Sequence, residues 1–108
     1  MPRNDRRDRQ KAAQLCAQVS EALSLAMAAI EDDVILDLYI LEVTPAPDAG
    51  RLRVQVAGAG DPEEALARLE RWSGQLRAEV ASSIHRKKTP QLLFEVIPRS
   101  SEVSPSAE

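Results

Sequence analysis

Hydrophobic residues recur every three or four positions in the first third of the chain, which is the spacing of one face of an α-helix. The apolar positions of this stripe are Leu15, Val19, Leu23, Met27 and Ile30. The pattern predicts a helix from about residue 9 to residue 30. A turn is expected at the acidic run 31–33, because carboxylates are unfavourable at the negative end of a helix dipole.

Two β-strands are predicted in the next part of the chain. Residues 34–44 (VILDLYILEVT) are rich in β-branched residues and leucine on both alternations, which suits a central strand covered on both faces, or on one face and part of the other. Residues 51–56 (RLRVQV) alternate strictly between polar and apolar positions, as in a strand with one buried face. The Pro/Asp/Gly-rich segment 45–50 is typical of a loop, so the two strands are predicted to form a hairpin.

A second helix is predicted to begin at Pro62. Asp61 is a capping residue, proline suits the first helical turn, and acidic residues follow at the positive end of the dipole. The apolar stripe changes register around Ser73 and Gly74, and glycine inside a helix costs roughly 1 kcal/mol relative to alanine. Two helices that meet at a bend explain this pattern better than one straight helix.

The last predicted element is a third strand over residues 91–97. Thr89-Pro90 favours extended backbone before it, and the strand alternates Leu92, Phe94 and Val96 on one face. The order of elements is therefore helix, strand, strand, bent helix, strand, in one domain over residues 9–97. Residues 1–8 are predicted to be a flexible basic arm, and the Ser/Glu-rich residues 98–108 a disordered tail.

Charge is distributed unevenly along the chain. The protein has 108 residues, with 14 basic and 17 acidic side chains and a net charge of −3, which alone does not indicate nucleic-acid binding. Five basic residues nevertheless lie within the first eleven positions, and three are contiguous at 86–88. The protein is thus locally basic within an acidic average.

The single cysteine and the lack of a long apolar run indicate an intracellular, cytoplasmic protein. The only cysteine is Cys16, so an intrachain disulfide is excluded and a structural zinc site lacks ligands. No apolar run approaches the roughly 20 residues that a membrane-spanning helix needs. A transit peptide is disfavoured by Asp5 and Asp8.

Catalytic and metal-binding chemistry finds little support in the sequence. His85 is the only histidine, and Cys16 lies in the pattern of the first helix, where a buried small hydrophobic role is common. Gly58 and Gly60 precede a helix, but Asp61-Pro62 stands where a phosphate-binding loop needs free amide donors. No enzyme activity, metal or cofactor is expected.

The basic residues near the bend support nucleic-acid binding instead. One or two cations at residues 86–88 are explained by a helix C-terminus, but three in a row, joined by Arg77, exceed that need. Each can offset a backbone phosphate and release counterions. A helix, a glycine-containing break and a second helix ending in cations is the arrangement with which KH-type domains approach a nucleic-acid strand. Arg51 and Arg53 are interpreted as solubilising residues on a strand.

The sequence resembles the ribosome-binding factor A family, bacterial assembly factors of the small ribosomal subunit, over roughly residues 7–97. The resemblance rests on three short motifs in the correct order: EVTPAPD with RVQV, then SGQLR, then KKTPQLLF. Trp72 stands where the family has alanine, Gln91 replaces a glutamate, and Ala46 replaces a serine. The link before the second helix is also shortened.

This resemblance implies a type II KH-like α+β domain, with order α-β-β-α(kinked)-β, a three-stranded sheet and helices packed on one face. The implied function is a non-catalytic, RNA-binding assembly factor in ribosome biogenesis. It would act as a monomer that binds 16S rRNA within the free 30S subunit and promotes late rRNA maturation and processing. No membrane or small-molecule partner is implied.

The predicted RNA-binding residues combine the bend, the cations and the arm. They are Trp72, Ser73, Gly74, Arg77, Arg86, Lys87, Lys88, Arg6 and Arg7. For Trp72, stacking on a base and packing at the rim of the core both remain open. The alternative function is a KH-like protein-interaction module without an RNA role, which is favoured by the net acidity and by the scarcity of aromatic residues.

Overall fold

The computed structural model describes residues 2–46, 50–84 and 88–98, with side chains from Gln10 onward. The elements are α1 (Pro2–Ala29), α2 (Asp33–Leu36), β1 (Tyr39–Pro45), β2 (Arg51–Ala57), α3 (Pro62–Arg71), α4 (Ser73–Ser83) and β3 (Gln91–Val96). Helices and strands are mixed in one α+β unit, as predicted.

The three strands form a single sheet in the order β1-β2-β3. β1 and β2 are antiparallel, which confirms the predicted hairpin, and the register shifts between Ile40 and Glu42. β3 lies parallel to β2. A parallel neighbour requires a crossover connection, and α3 and α4 supply it, so the bend between them lies within the connection from β2 to β3.

The core lies between the helices and one face of the sheet. On β2, Leu52, Val54 and Val56 are fully buried, which confirms the strict alternation predicted for this strand. Every residue of the predicted α1 stripe is buried as well, from Leu15 to Ile30. Cys16 is buried among them, and burial raises the pKa of its thiol. The core is therefore aliphatic, as the scarcity of aromatic residues requires.

The first helix begins at Pro2, earlier than the predicted start near residue 9. Proline is well tolerated at the first helical position, and the arginine, glutamine and lysine residues that follow are good helix formers. The backbone of residues 2–8 is therefore helical. That residues 1–8 move independently of the domain, as a flexible arm, stays a prediction.

The prediction of one central strand over residues 34–44 is wrong in two respects. Residues 33–36 form the short helix α2, and β1 begins only at Tyr39. β1 also lies at an edge of the sheet, while β2 occupies the centre. The Asp32 carboxylate explains the first difference, because it accepts hydrogen bonds from the amides of Val34 and Ile35 and so caps a helical turn.

The second helical segment is confirmed as two helices. α3 begins at Pro62, and Asp61 caps it through a hydrogen bond from the Glu64 amide to Asp61 Oδ2 (3.2 Å). α4 follows after Trp72 and buries Leu76 and Val80. Residues 99–108, which include most of the predicted tail, lie outside the described residues.

Candidate nucleic-acid interface

The bend consists of Trp72 between the end of α3 and the start of α4. Its backbone angles, φ −92° and ψ 2°, depart from the helical values on either side. The Trp72 amide still bonds to the Arg68 carbonyl (3.0 Å), and the Leu76 amide bonds to the Trp72 carbonyl (2.9 Å). The helical geometry is thus interrupted at one residue, and no side chain caps the start of α4.

Gly74 presents bare main chain at the start of α4. The residue is exposed, and a Cβ atom built on it would meet no atom within 4 Å apart from its chain neighbours and the backbone of its own helix. Close packing within this protein therefore does not require glycine here. A surface without a side chain does allow another molecule to approach the backbone closely.

Ser73 is committed to the local helix geometry. Its Oγ donates a hydrogen bond to the Glu70 carbonyl oxygen at 2.8 Å. This bond satisfies one carbonyl at the end of α3. The hydroxyl therefore supports the bend, while the residue stays partly exposed beside Gly74.

Trp72 packs at the rim of the core. It is half-buried against the buried aliphatic residues, and its Nε1–H donates a hydrogen bond to Asp32 Oδ2 at 2.9 Å. Of the two roles left open by the sequence, this geometry favours packing. The indole holds the bend against the loop between α1 and α2.

Asp32 joins three parts of the fold through one carboxylate. Its side chain is only 7% exposed and accepts hydrogen bonds from Arg68 (2.9 and 3.0 Å) and Trp72, in addition to the amides that it caps. Arg68 also pairs with Glu64 at 3.3 Å. The hydrogen bond from Trp72, followed by those from Arg68 and the backbone, holds the pKa of Asp32 below its usual range, although burial acts in the opposite direction.

Replacing Asp32 by asparagine is expected to change the acid dependence of stability. The folded state lowers the pKa of Asp32, so the ionised carboxylate contributes stability that is fully present above its unfolded pKa of about 3.9. That contribution is lost as the pH falls through the folded pKa. The difference in unfolding free energy between wild type and Asp32→Asn should be largest above about pH 5 and should shrink toward pH 2.

Urea unfolding followed by fluorescence measures this difference, since Trp72 is the only tryptophan. The other carboxylates titrate in both proteins, so they cancel in the comparison. A difference that stays constant across the acid range would contradict the role assigned to the Asp32 charge.

Arg77 ties α4 to the segment before β3. Its guanidinium donates hydrogen bonds to the carbonyl oxygens of Thr89 (3.1 Å) and Pro90 (3.4 Å). Lys88 is exposed and adjacent in sequence to Thr89. The structure therefore brings Arg77 next to the segment that contains Lys88, although the guanidinium also has a structural role that the sequence did not indicate.

The other predicted cations lie where the structure does not describe their side chains. Arg86 and Lys87 fall outside the described residues, and Arg6 and Arg7 lie in α1 without described side chains. Arg71, which the sequence analysis did not single out, is exposed in the last turn of α3 and directly precedes Trp72, so it adds a cation beside the bend.

Two backbone amides in the glycine-rich connection after β2 bind a carboxylate of the protein itself. Asp37 Oδ2 accepts hydrogen bonds from the amides of Ala59 (2.7 Å) and Gly60 (3.2 Å). A Cβ atom on Gly58 would lie 2.7 Å from Asp37 Oδ2 and 3.0 Å from the Asp37 carbonyl oxygen. Glycine is therefore needed for close approach to Asp37, and these amides are already engaged by an anionic group of the protein itself.

A cleft of about 200 Å³ lies beside this connection, between α2, the start of α3 and the end of β3. Three of the carboxylates that line it already have partners: Asp37 accepts from two amides, Asp61 caps α3, and Glu64 pairs with Arg68. Among the described residues, no three His, Cys, Asp or Glu side chains are grouped to hold a metal ion. In the same residues, no helix has the length and apolarity that crossing a membrane requires.

A bent helical crossover between parallel strands, with the helices on one face of a three-stranded sheet, defines a KH-like α+β domain. The chain matches no family model. It is 32% identical over 112 residues to ribosome-binding factor A of Rhodopseudomonas palustris, covering 94% of this chain and 83% of that protein. The chain belongs to the ribosome-binding factor A family.

A second relative is ribosome-binding factor A of Solibacter usitatus, which is 33% identical over 81 residues. This match covers 72% of the present chain and 63% of the length of that relative. The family resemblance seen in the sequence motifs is thus confirmed by whole-chain similarity.

A crystal structure and a fitted homology model have the same fold. The crystal structure of ribosome-binding factor A from Thermus thermophilus superimposes with a TM-score of 0.72 at 30% identity, covering 79% of this chain and 94% of that one. A homology model of the Thermus thermophilus factor, fitted into a cryo-EM map of a 30S–RbfA complex, gives a TM-score of 0.63 at 29% identity, covering 79% and 91%.

Proposed function

We propose that this protein is a non-catalytic RNA-binding factor that associates with the free small (30S) ribosomal subunit and promotes late maturation of its 16S rRNA. It would act in the cytoplasm as a monomer, without a cofactor or a small-molecule substrate. Family membership supports this proposal, as does a Thermus thermophilus relative fitted into a map of a 30S complex.

The observation that supports RNA binding most directly is the bend. An exposed glycine with open space around it stands one helical turn before Arg77, whose guanidinium contacts the segment next to Lys88. A strand of RNA approaching Gly74 would meet main chain without steric hindrance. Cationic side chains within one turn would neutralise its phosphates.

Sedimentation with purified free small subunits at increasing salt tests this proposal. Wild type is expected to co-sediment, and the logarithm of its binding constant should fall linearly with the logarithm of the salt concentration. Arg86→Ala/Lys87→Ala/Lys88→Ala should reduce the magnitude of that slope by about 2 to 3, since each lost phosphate contact contributes about 0.7 to 0.9.

The matched control keeps all three charges, as Arg86→Lys/Lys87→Arg/Lys88→Arg, and should retain the wild-type slope. Thermal unfolding of each variant establishes that it is folded. Failure of the wild type to sediment with the subunit would favour the alternative, a protein-interaction module without an RNA role. An unchanged slope in the triple alanine variant would contradict the part assigned to these cations.

A further inference from the structure

The sheet has one face that the helices leave uncovered. Leu52, Val54 and Val56 of β2 point into the core, so the intervening residues of the same strand point away from it. Arg51 and Arg53 are exposed on this second face. The Cα atoms of alternate residues on a strand are separated by roughly 6.6 Å along the strand axis, so both arginine side chains begin close together on this face.

Neither arginine is directly opposite an acidic residue. Arg51 is paired in register with Gln91, and Arg53 lies between Thr44 of β1 and Leu93 of β3. Among the described residues, the ion pairs are those of Arg68 with Asp32 and Glu64, and neither involves Arg51 or Arg53. Both guanidinium groups are therefore available to an external anion.

The acidic residues of the uncovered face lie further along the strands. Gln55 is paired in register with both Glu42 and Glu95, and its side-chain amide donates to Glu95 Oε1 at 2.8 Å. The face is thus polarised, with arginines where β2 begins and carboxylates further along. A polyanion would be attracted to the first part and repelled by the second.

Strand pairing and hydrogen bonds connect Arg51 and Arg53 to α4, the helix that begins at the bend. Gln91, the partner of Arg51, donates its amide proton to the Gly50 carbonyl at 3.0 Å. It directly follows Thr89-Pro90, whose carbonyls accept hydrogen bonds from Arg77. Arg77 of α4 therefore contacts the residues that follow Lys88. The next residue, Gln91 at the start of β3, is paired with Arg51 on the strand that also carries Arg53.

We propose that Arg51 and Arg53 form a second phosphate-binding site on the uncovered face of the sheet, for an RNA strand that continues from the bend around the start of β3. This inference rests on the proposed function. It replaces the solubilising role that the sequence suggested. Arginine suits the task because its planar guanidinium can bind two phosphate oxygens at once and stays charged at any physiological pH.

The test is the double variant Arg51→Gln/Arg53→Gln in the sedimentation assay with free small subunits. Loss of two phosphate contacts should reduce the magnitude of the salt slope, the slope of log affinity against log salt concentration, by about 1.4 to 1.8. Arg51→Lys/Arg53→Lys preserves both charges and should retain most of the slope. Glu42→Gln/Glu95→Gln removes charge from the acidic part of the same face and should leave binding unchanged or tighter.

A wild type that fails to sediment would overturn the proposed function itself. A wild type that binds, together with a double glutamine variant of equal affinity and slope, would overturn only the present inference. Weaker binding by Glu42→Gln/Glu95→Gln would also contradict it, since the acidic part is expected to repel RNA.

Photocrosslinking distinguishes RNA from an acidic protein as the partner of the arginines. Leu93 is 46% exposed and is paired in register with Arg53, so Leu93→p-benzoylphenylalanine places a crosslinker beside the proposed site. The expected product with free small subunits is a crosslink to rRNA that ribonuclease shortens. A crosslink to a ribosomal protein alone, or no crosslink by a variant that still sediments, would overturn the inference.

Discussion

Replacement of Trp72 by alanine is expected to lower the free energy of unfolding by about 2–3 kcal/mol, below the 3–5 kcal/mol typical of fully buried tryptophan because this indole is only half-buried. For a domain of this size, the melting temperature should fall by roughly 10–20 °C. The loss combines contact with the aliphatic core and the hydrogen bond to Asp32. Thermal and urea unfolding followed by circular dichroism measure it.

Trp72→Phe is the matched control, because it keeps an aromatic ring at the bend while removing the N–H donor and the smaller ring of the indole. Its expected cost is about 1.5 kcal/mol, the lower end of the net value of a hydrogen bond to a charged group. Equal losses in the two variants would show that ring packing contributes little. That result would contradict the role assigned to the indole as a support of the bend.

Trp72 also connects the bend to the rest of the fold. Its indole fills space against the core and bonds to Asp32. Arg68, one turn earlier in α3, bonds to the same carboxylate. The bend at Trp72 is therefore tied to the loop between α1 and α2 through the carboxylate of Asp32.

Local signals were sufficient for much of the fold. The α1 stripe, the alternation of β2 and the capped start of α3 each depend on residues within a few positions of one another, and each was predicted. The bend was predicted for the same reason, since the change of register and Gly74 lie within one segment. Together with the motif resemblance, these signals identified the KH-like class and the family.

Contacts between distant residues account for what the sequence did not show. The segment from Val34 to Leu36 has strand propensity, but Asp32 caps it as a helical turn, and Asp32 is held by side chains 36 and 40 residues away. Such tertiary contacts override local preference. The binding of Arg77 to backbone carbonyls before β3 and the neighbours of Arg51 and Arg53 in the sheet likewise depend on strand pairing, which composition does not reveal.

Replacement of Gly74 by leucine should separate binding from stability. We expect affinity for free small subunits to fall at least about tenfold, equivalent to about 1.4 kcal/mol, because a side chain would occupy the space through which RNA approaches the main chain. The fold should tolerate the change, since no atom beyond the chain neighbours and the backbone of its own helix lies within 4 Å of the new Cβ. Stability should hold or rise by up to about 1 kcal/mol, because leucine is a better helix former than glycine.

Ala81→Leu supplies the control for bulk alone. Ala81 is exposed on α4, about two helical turns beyond Gly74, so leucine there adds the same side chain away from the bend. Sedimentation at fixed salt and thermal unfolding are measured for both variants. If Gly74→Leu is stable and binds as tightly as wild type, the exposed main chain at the bend is not a point of contact. Equal weakening in both variants would instead assign the contact to the whole outer face of α4, because the bulk would then act wherever on that helix it is placed.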